Sequence, residues 1–141
     1  MKVSARNAFS GTIAKVVKGA VNAEVVLTTP GGDIIVASIT NGSVENLGLK
    51  EGAKAIALVK ASWVILGKGL DAAKISTRNV LGGTVDSIHG GAVNAEVAVK
   101  LSGGTIVTAI VTNESIQHLK LAVGDPLSVA FKASHVIIAV D

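Results

Sequence analysis

The sequence predicts an all-β chain built as two tandem five-stranded barrels, each with one short helix. Three observations carry that expectation: an internal repeat, short β-prone runs bounded by turn residues, and one helix-capping signal per repeat. The tetrapeptide Ser4-Ala5-Arg6-Asn7 returns 72 residues later as Ser76-Thr77-Arg78-Asn79. At the same spacing Gly19-Ala20-Val21-Asn22-Ala23-Glu24-Val25 is repeated without change from Gly91 to Val97. From Ser4 to Gly67, 27 of 64 aligned pairs are identical, and no gap is needed. A repeat of this length sets the number of folding units. The expected organisation is a first module over 1–67, a linker over 68–75 and a second module over 76–141.

Residues 8–18, with Phe9, Ile13, Val16 and Val17, form the first β-prone run and stop at Gly19. Asn22 to Thr29 is the second, and Pro30-Gly31-Gly32-Asp33 after it is turn chemistry. Ile34 to Ile39 is almost wholly apolar, as in a strand covered on both faces. The two runs and their turn predict a hairpin. Thr40-Asn41-Gly42-Ser43 supplies N-cap residues, and Val44, Leu47 and Leu49 follow at near-helical spacing. Lys54 to Lys60 and Ser62 to Leu66 are two further β-prone runs. Five strands with a helix between the third and fourth match the OB-fold. Closure into a barrel also removes the exposed edges that such Val- and Ile-rich strands would leave. The second module repeats the order, with Ser102-Gly103-Gly104 at the hairpin and Gly124-Asp125-Pro126 before its fourth strand.

Composition narrows the function. Hydrophobic residues make up 49% of the chain, yet there are two Phe, one Trp and no Tyr. Aliphatic modules of roughly 65 residues are marginal alone, so docking and an oligomer are expected. The absence of cysteine excludes disulfides, thiolate metal sites and cysteine nucleophiles. The opening Met1-Lys2-Val3-Ser4-Ala5-Arg6 has no long apolar run, so no secretory signal is expected. No apolar run approaches the roughly 20 residues of a membrane span, and the expectation is a cytoplasmic protein. A net charge of +3, with the charges interspersed, is only a slight lean toward an anionic ligand.

Chemistry should reside in groups that both copies retain. His89, His118 and His135 all lie in the second copy, opposite Val17, Asn46 and Trp63, so a duplicated function does not rest on them. Glu24 and Glu96 are the repeated carboxylates and are expected as solvated or salt-bridged strand residues. No Ser-His-Asp set, P-loop or HExxH motif is present, and no enzyme is expected. The retained groups favour anions instead: Arg6 and Arg78, Lys60 and Lys132, and the hydroxyls of Ser4, Ser76, Thr40, Thr112, Ser43, Ser115, Ser62 and Ser134. The loop Gly19, Ala20, Val21 and Asn22, with its copy Gly91, Ala92, Val93 and Asn94, could aim backbone N–H groups at one spot. Such a set suits a tetrahedral dianion, whose burial demands compensating charge and several donors. A shell made only of donors disfavours a ligand that carries a proton. It selects sulfate, molybdate or tungstate over protonated phosphate.

Ser-Ala-Arg-Asn, Gly-Ala-Val-Asn-Ala-Glu-Val, Thr-Asn-Gly-Ser and Lys-Ala-Ser-Trp-Val-Ile-Leu resemble the motifs of the Mop domain of the molbindins. The resemblance covers both modules, with departures at Thr77, Glu114 and His135. It implies an OB-like barrel per domain, a homotrimer for a two-domain chain, and molybdate or tungstate bound between domains for storage or homeostasis. It implies no cofactor, and metal bound only as an oxyanion. By the resemblance, Ser4, Arg6, Lys60 and the Ala61-Ser62 backbone form one side of a site, and Thr40 and Ser43 come from a neighbouring domain. Ser76, Arg78, Lys132, Ala133, Ser134, Thr112 and Ser115 play the same parts in the second copy. The Gly19–Asn22 and Gly91–Asn94 loops supply a second kind of site around a symmetry axis. Two other readings compete: a molybdate-sensing regulatory subunit and an OB-fold nucleic-acid binder. The latter needs stacking aromatics, which this chain lacks in number, so no nucleic-acid partner is expected.

Overall fold

The computed structural model describes residues 2–141. The first module forms β1 (Asn7–Lys18), β2 (Asn22–Thr28), β3 (Ile34–Thr40), α1 (Asn41–Leu47), β4 (Lys54–Val59) and β5 (Ile65–Gly67). The second forms β6 (Asn79–Gly90), β7 (Asn94–Leu101), β8 (Ile106–Thr112), α2 (Asn113–Leu119), β9 (Pro126–Phe131) and β10 (Ile137–Ala139). The expected element order is borne out, with one local difference. The run expected as a strand from Ser62 to Leu66 begins as a 3₁₀ turn over Ala61–Trp63, and pairing starts only at Ile65.

β1 is long because it serves two partners. Its first half pairs antiparallel with β4, from Asn7 opposite Val59 to Thr12 opposite Lys54. Its second half pairs with β2, from Thr12 opposite Thr28 to Lys18 opposite Ala23. A register irregularity between Ile13 and Lys15 marks the bend, the usual effect of a bulge on strand twist. Glycine is required at that bend. A Cβ on Gly11 would lie 2.4 Å from the Thr28 carbonyl oxygen, and one on Gly83 2.4 Å from that of Lys100. The two strands thus curl each sheet into a half-barrel.

Strand pairing runs across the repeat. One sheet has the order β10-β4-β1-β2-β3 and the other β5-β9-β6-β7-β8. Each module therefore lends its short fifth strand to the other. Ile137 to Ala139 pair with Leu58 to Ile56, and Ile65 to Gly67 pair with Ala130 to Ser128. The buried side chains form a single cluster that includes Phe9, Ile13, Val25, Leu27 and Val59 with Val97, Val99, Val129 and Phe131. Full burial of each such aliphatic side chain stabilises by about 1.5–3 kcal/mol. Repeated sequence units and hydrogen-bonded sheets are thus not coextensive.

The hairpin tips also cross. The Asp33 carboxylate, buried at 8% exposure, accepts hydrogen bonds from the amides of Gly103 at 2.9 Å and Thr105 at 3.2 Å. Gly31 passes so near Gly103 that a Cβ there would overlap the Gly103 carbonyl at 1.8 Å. Among the described residues no helix is long and apolar enough to cross a membrane.

Candidate oxyanion-binding site

The β1–β4 register places the candidate residues. Asn7 lies opposite Val59, so Ser4, Ala5 and Arg6 run beside Lys60, Ala61 and Ser62. Together they line a groove of about 400 Å³, closed by Ile110 and Ile137 of the second module. Asn79 opposite Phe131 sets Ser76 and Arg78 beside Lys132, Ala133 and Ser134 in the same way. The turns Ala61–Trp63 and Ala133–His135 each begin after a lysine whose side chain makes no capping bond. The amides of Ala61, Ser62, Ala133 and Ser134 have no acceptor among the described residues. They are the free first donors that any helical turn leaves.

A second cleft continues the first groove at Ser62 and Ile110 and brings in Thr112, Glu114, Ser115 and His118. Within one chain, Thr112 and Ser115 of the second module thus line the same cleft as Ser62 of the first. On the opposite side β3, which ends at Thr40, packs on the turn that holds Ala133 and Ser134. Thr40 and Ser43 share a hydrogen bond of 2.9 Å, and Thr40 Oγ1 also accepts from the Ser43 amide at 3.1 Å. Thr112 and Ser115 repeat this at 2.8 and 3.1 Å. Each pair caps its helix, and Thr112 and Ser115 also line the second cleft.

Arg6 does not stand alone. Its Nη2 donates to Glu96 Oε1 of the other module at 2.6 Å, and Arg78 Nη1 donates to Glu24 Oε2 in the reciprocal pair. The repeated glutamates are thus salt-bridged strand residues. Both pairs are well exposed, with 53% of the Arg6 and 31% of the Glu96 side chain accessible. Exposed ion pairs contribute little to stability, but these set the direction of each guanidinium. Among the described residues Lys60 and Lys132 have no carboxylate partner. Lys60 Nζ lies 5.4 Å from the centre of the Trp63 ring, which packs on His135 at 4.7 Å. The unrepeated Trp63 and His135 therefore meet where the two modules join.

The loops Gly19–Asn22 and Gly91–Asn94 are pinned to the helix starts. Asn41 donates its amide to the Val21 carbonyl at 2.9 Å and its Nδ2 to that of Gly19 at 3.0 Å. Asn113 does the same to Val93 and Gly91, at 2.9 Å each. Gly19 and Gly91 spend their amides on Asn22 and Asn94. Those of Ala20, Val21, Ala92 and Val93 have no acceptor among the described residues.

One pair of site-shaping residues has no role in the sequence reading. Asn7 and Asn79, each 1% exposed, act as one-residue strands. Asn7 Nδ2 donates to the Thr108 carbonyl at 2.8 Å, and the Thr108 amide donates to Asn7 Oδ1 at 2.7 Å. Asn79 holds Val36 the same way, at 2.8 Å in both directions. Their retention in both copies was the available signal. An amide side chain next to a repeated arginine, however, does not reveal that its partner is a backbone in the other module.

The sequence profile of the TOBE domain matches residues 3–66 and again residues 75–138. The chain belongs to the TOBE domain family. This TOBE-family chain is 42% identical over 139 residues to the molybdenum-pterin-binding protein MopA of Rhodobacter capsulatus. It is 41% identical over 140 residues to the molybdenum transport protein ModE of Herbaspirillum seropedicae. In both cases 99% of this chain is matched, and it spans about half the relative's length, 52%. Molybdenum-pterin-binding protein 2 of Clostridium pasteurianum is 47% identical over 66 residues, which are 47% of this chain and 97% of that protein. A crystal structure of the cytoplasmic molybdate-binding protein ModG, with molybdate bound, superposes with a TM-score of 0.92 at 46% identity, covering 100% of both chains. The two-module TOBE architecture, including two five-stranded sheets with one short helix each, is thereby established for this chain.

Proposed function

We propose that this chain binds molybdate or tungstate as the free dianion and serves molybdenum storage or homeostasis in the cytoplasm, without catalysing a reaction. The observation that carries the reading is the continuous lining formed across the two modules. Ser4, Arg6, Lys60, Ala61 and Ser62 stand on one side, and Thr112 and Ser115 on the other. Two cations, several hydroxyls and free turn amides are what a dianion needs to leave water. The Ser76, Arg78, Lys132, Ala133 and Ser134 group, with Thr40 and Ser43, is assigned the same role. The Gly19–Asn22 and Gly91–Asn94 loops are assigned a second kind of site, through the amides of Ala20, Val21, Ala92 and Val93. No cofactor is required, and the functional particle is taken as a homotrimer. The names of the molybdenum-binding relatives support this choice of anion.

Titration calorimetry with four anions tests the reading. Molybdate and tungstate should bind alike, sulfate more weakly because it is smaller, and phosphate least. Phosphate binding as tightly as molybdate at every site would overturn it. A regulatory role is the second reading, favoured by relatives named ModE, one of them a transcriptional regulator in Yersinia pestis. Pull-down with and without molybdate separates the two readings.

A further inference from the structure

Glu24 and Glu96 are retained in both copies, yet the proposed function gives them no part. The chain has two arginines, and each is engaged by the glutamate of the other module. The members of each pair differ in what holds them. Glu96 stands on β7 with a strand on either side, opposite His89 of β6 and Ile110 of β8. Glu24 stands on β2 in the same way, opposite Val17 of β1 and Ser38 of β3. Arg6 and Arg78 precede β1 and β6, outside any strand, with 53% and 58% of their side chains accessible. An arginine so placed samples many rotamers unless something fixes it. The glutamate is the fixed member of each pair.

The contact leaves the groove side of the guanidinium free. Each pair uses one terminal nitrogen of a group that carries five N–H donors. Arg6 lines the groove with Ser4, Lys60 and Ser62. Glu96 is outside that lining, although its cross-strand neighbour Ile110 belongs to it. The carboxylate thus stands behind the guanidinium and does not take the place of an anion. We infer that Glu96 and Glu24 are positioning residues for the oxyanion sites. Each holds the other module's arginine so that its remaining donors face the groove before the anion arrives. This rests on the oxyanion-binding reading and extends it to residues that touch no anion. A carboxylate also repels a dianion, but from behind the guanidinium and in solvent that costs only about twofold in affinity. Freezing an arginine that nothing holds costs more, about three- to tenfold. Positioning therefore wins.

The experiment compares the full chain with two double variants, Glu24→Ala/Glu96→Ala and Glu24→Gln/Glu96→Gln. Titration calorimetry with molybdate should show the alanine variant weaker by about three- to tenfold. The glutamine variant keeps an acceptor oxygen in place and should stay within about twofold of the unaltered chain. Without ligand, ¹⁵N relaxation of the arginine Nε–H groups should show both side chains held in the unaltered and glutamine chains and mobile in the alanine variant. The ligand-free melting temperature should be nearly the same in all three, because both pairs are exposed. Arginines already mobile in the unaltered chain would overturn the inference. So would an alanine variant that binds molybdate as tightly as the unaltered chain or more tightly. An unaltered chain with held arginines and no molybdate binding would instead overturn the proposed function.

Discussion

At the level of single residues, the repeated tetrapeptide divides its labour between neighbours. Asn79 is buried and satisfies both the amide and the carbonyl of Val36, whereas Arg78 beside it is exposed and reaches Glu24. Asn79→Ala should strand two buried backbone groups. At about 1–3 kcal/mol each, it should lower stability by about 2–6 kcal/mol in chemical denaturation. The arginines predict the opposite profile. Arg6→Lys keeps the charge but loses the forked donor geometry, and should weaken its molybdate sites by roughly ten- to a hundredfold in calorimetry. Arg6→Ala should weaken them further, while ligand-free stability changes by no more than about 0.5 kcal/mol, since the Glu96 pair is solvent-exposed. Arg78→Lys should affect a separate subset of sites. Unchanged binding in the double variant would make the tetrapeptide purely structural. The value of arginine at these positions was legible from its repetition. The asparagine was equally repeated, but its backbone partner lies 43 residues away in the other module and leaves no mark on the local sequence.

At the level of elements, the exchanged fifth strands decide how the chain can be divided. β5 and β10 are three residues each and find their ladder only on the other module's fourth strand. A fragment of residues 1–67 contains β4 but not β10, so its sheet has an open edge next to a free β5. Two copies can satisfy each other by reciprocal exchange. Sedimentation equilibrium should therefore show the fragment as a dimer or a multiple of one, and a folded monomer would contradict the role given to the exchange. A 3₁₀ turn stands before each short strand where the residue pattern alone predicts strand. Ser62 and Trp63 carry no helical pattern, yet the chain must reverse there to leave its own sheet, and a 3₁₀ turn does this in one step.

At the level of the whole molecule, the site depends on two modules being locked together. The crossed hairpin tips at Asp33, the two asparagine clasps and the single buried cluster hold the grooves against the opposite helices. Apolar side chains still face outward, including Ile34, Ile65, Ile106 and Ile137 at 42–55% exposure. Packing these against other copies is the physical basis for the expected trimer. Sedimentation equilibrium of the full chain should give about three chains per particle. Molybdate at 100 times its Kd should stabilise the fold by about 2.7 kcal/mol, read as a rise in Tm. A stable monomer that binds molybdate with undiminished affinity would refute any contribution of neighbouring chains.

The repeat, the order of elements along the chain, the helix caps and the donor-rich composition of the candidate site were all determined by the sequence itself. Each is written in local patterns: alternation, turn residues, capping hydroxyls and groups kept at one spacing. Three things were decided only in three dimensions: the exchange of β5 and β10, the capture of Arg6 and Arg78 by Glu96 and Glu24, and the meeting of Ser62 with Thr112 and Ser115. The reason is physical. Two modules with the same strand pattern can complete their sheets within themselves or through each other, at nearly the same local cost. The choice is made by side chains and backbones about 40 to 100 residues apart, such as Asn79 with Val36 and Asn7 with Thr108.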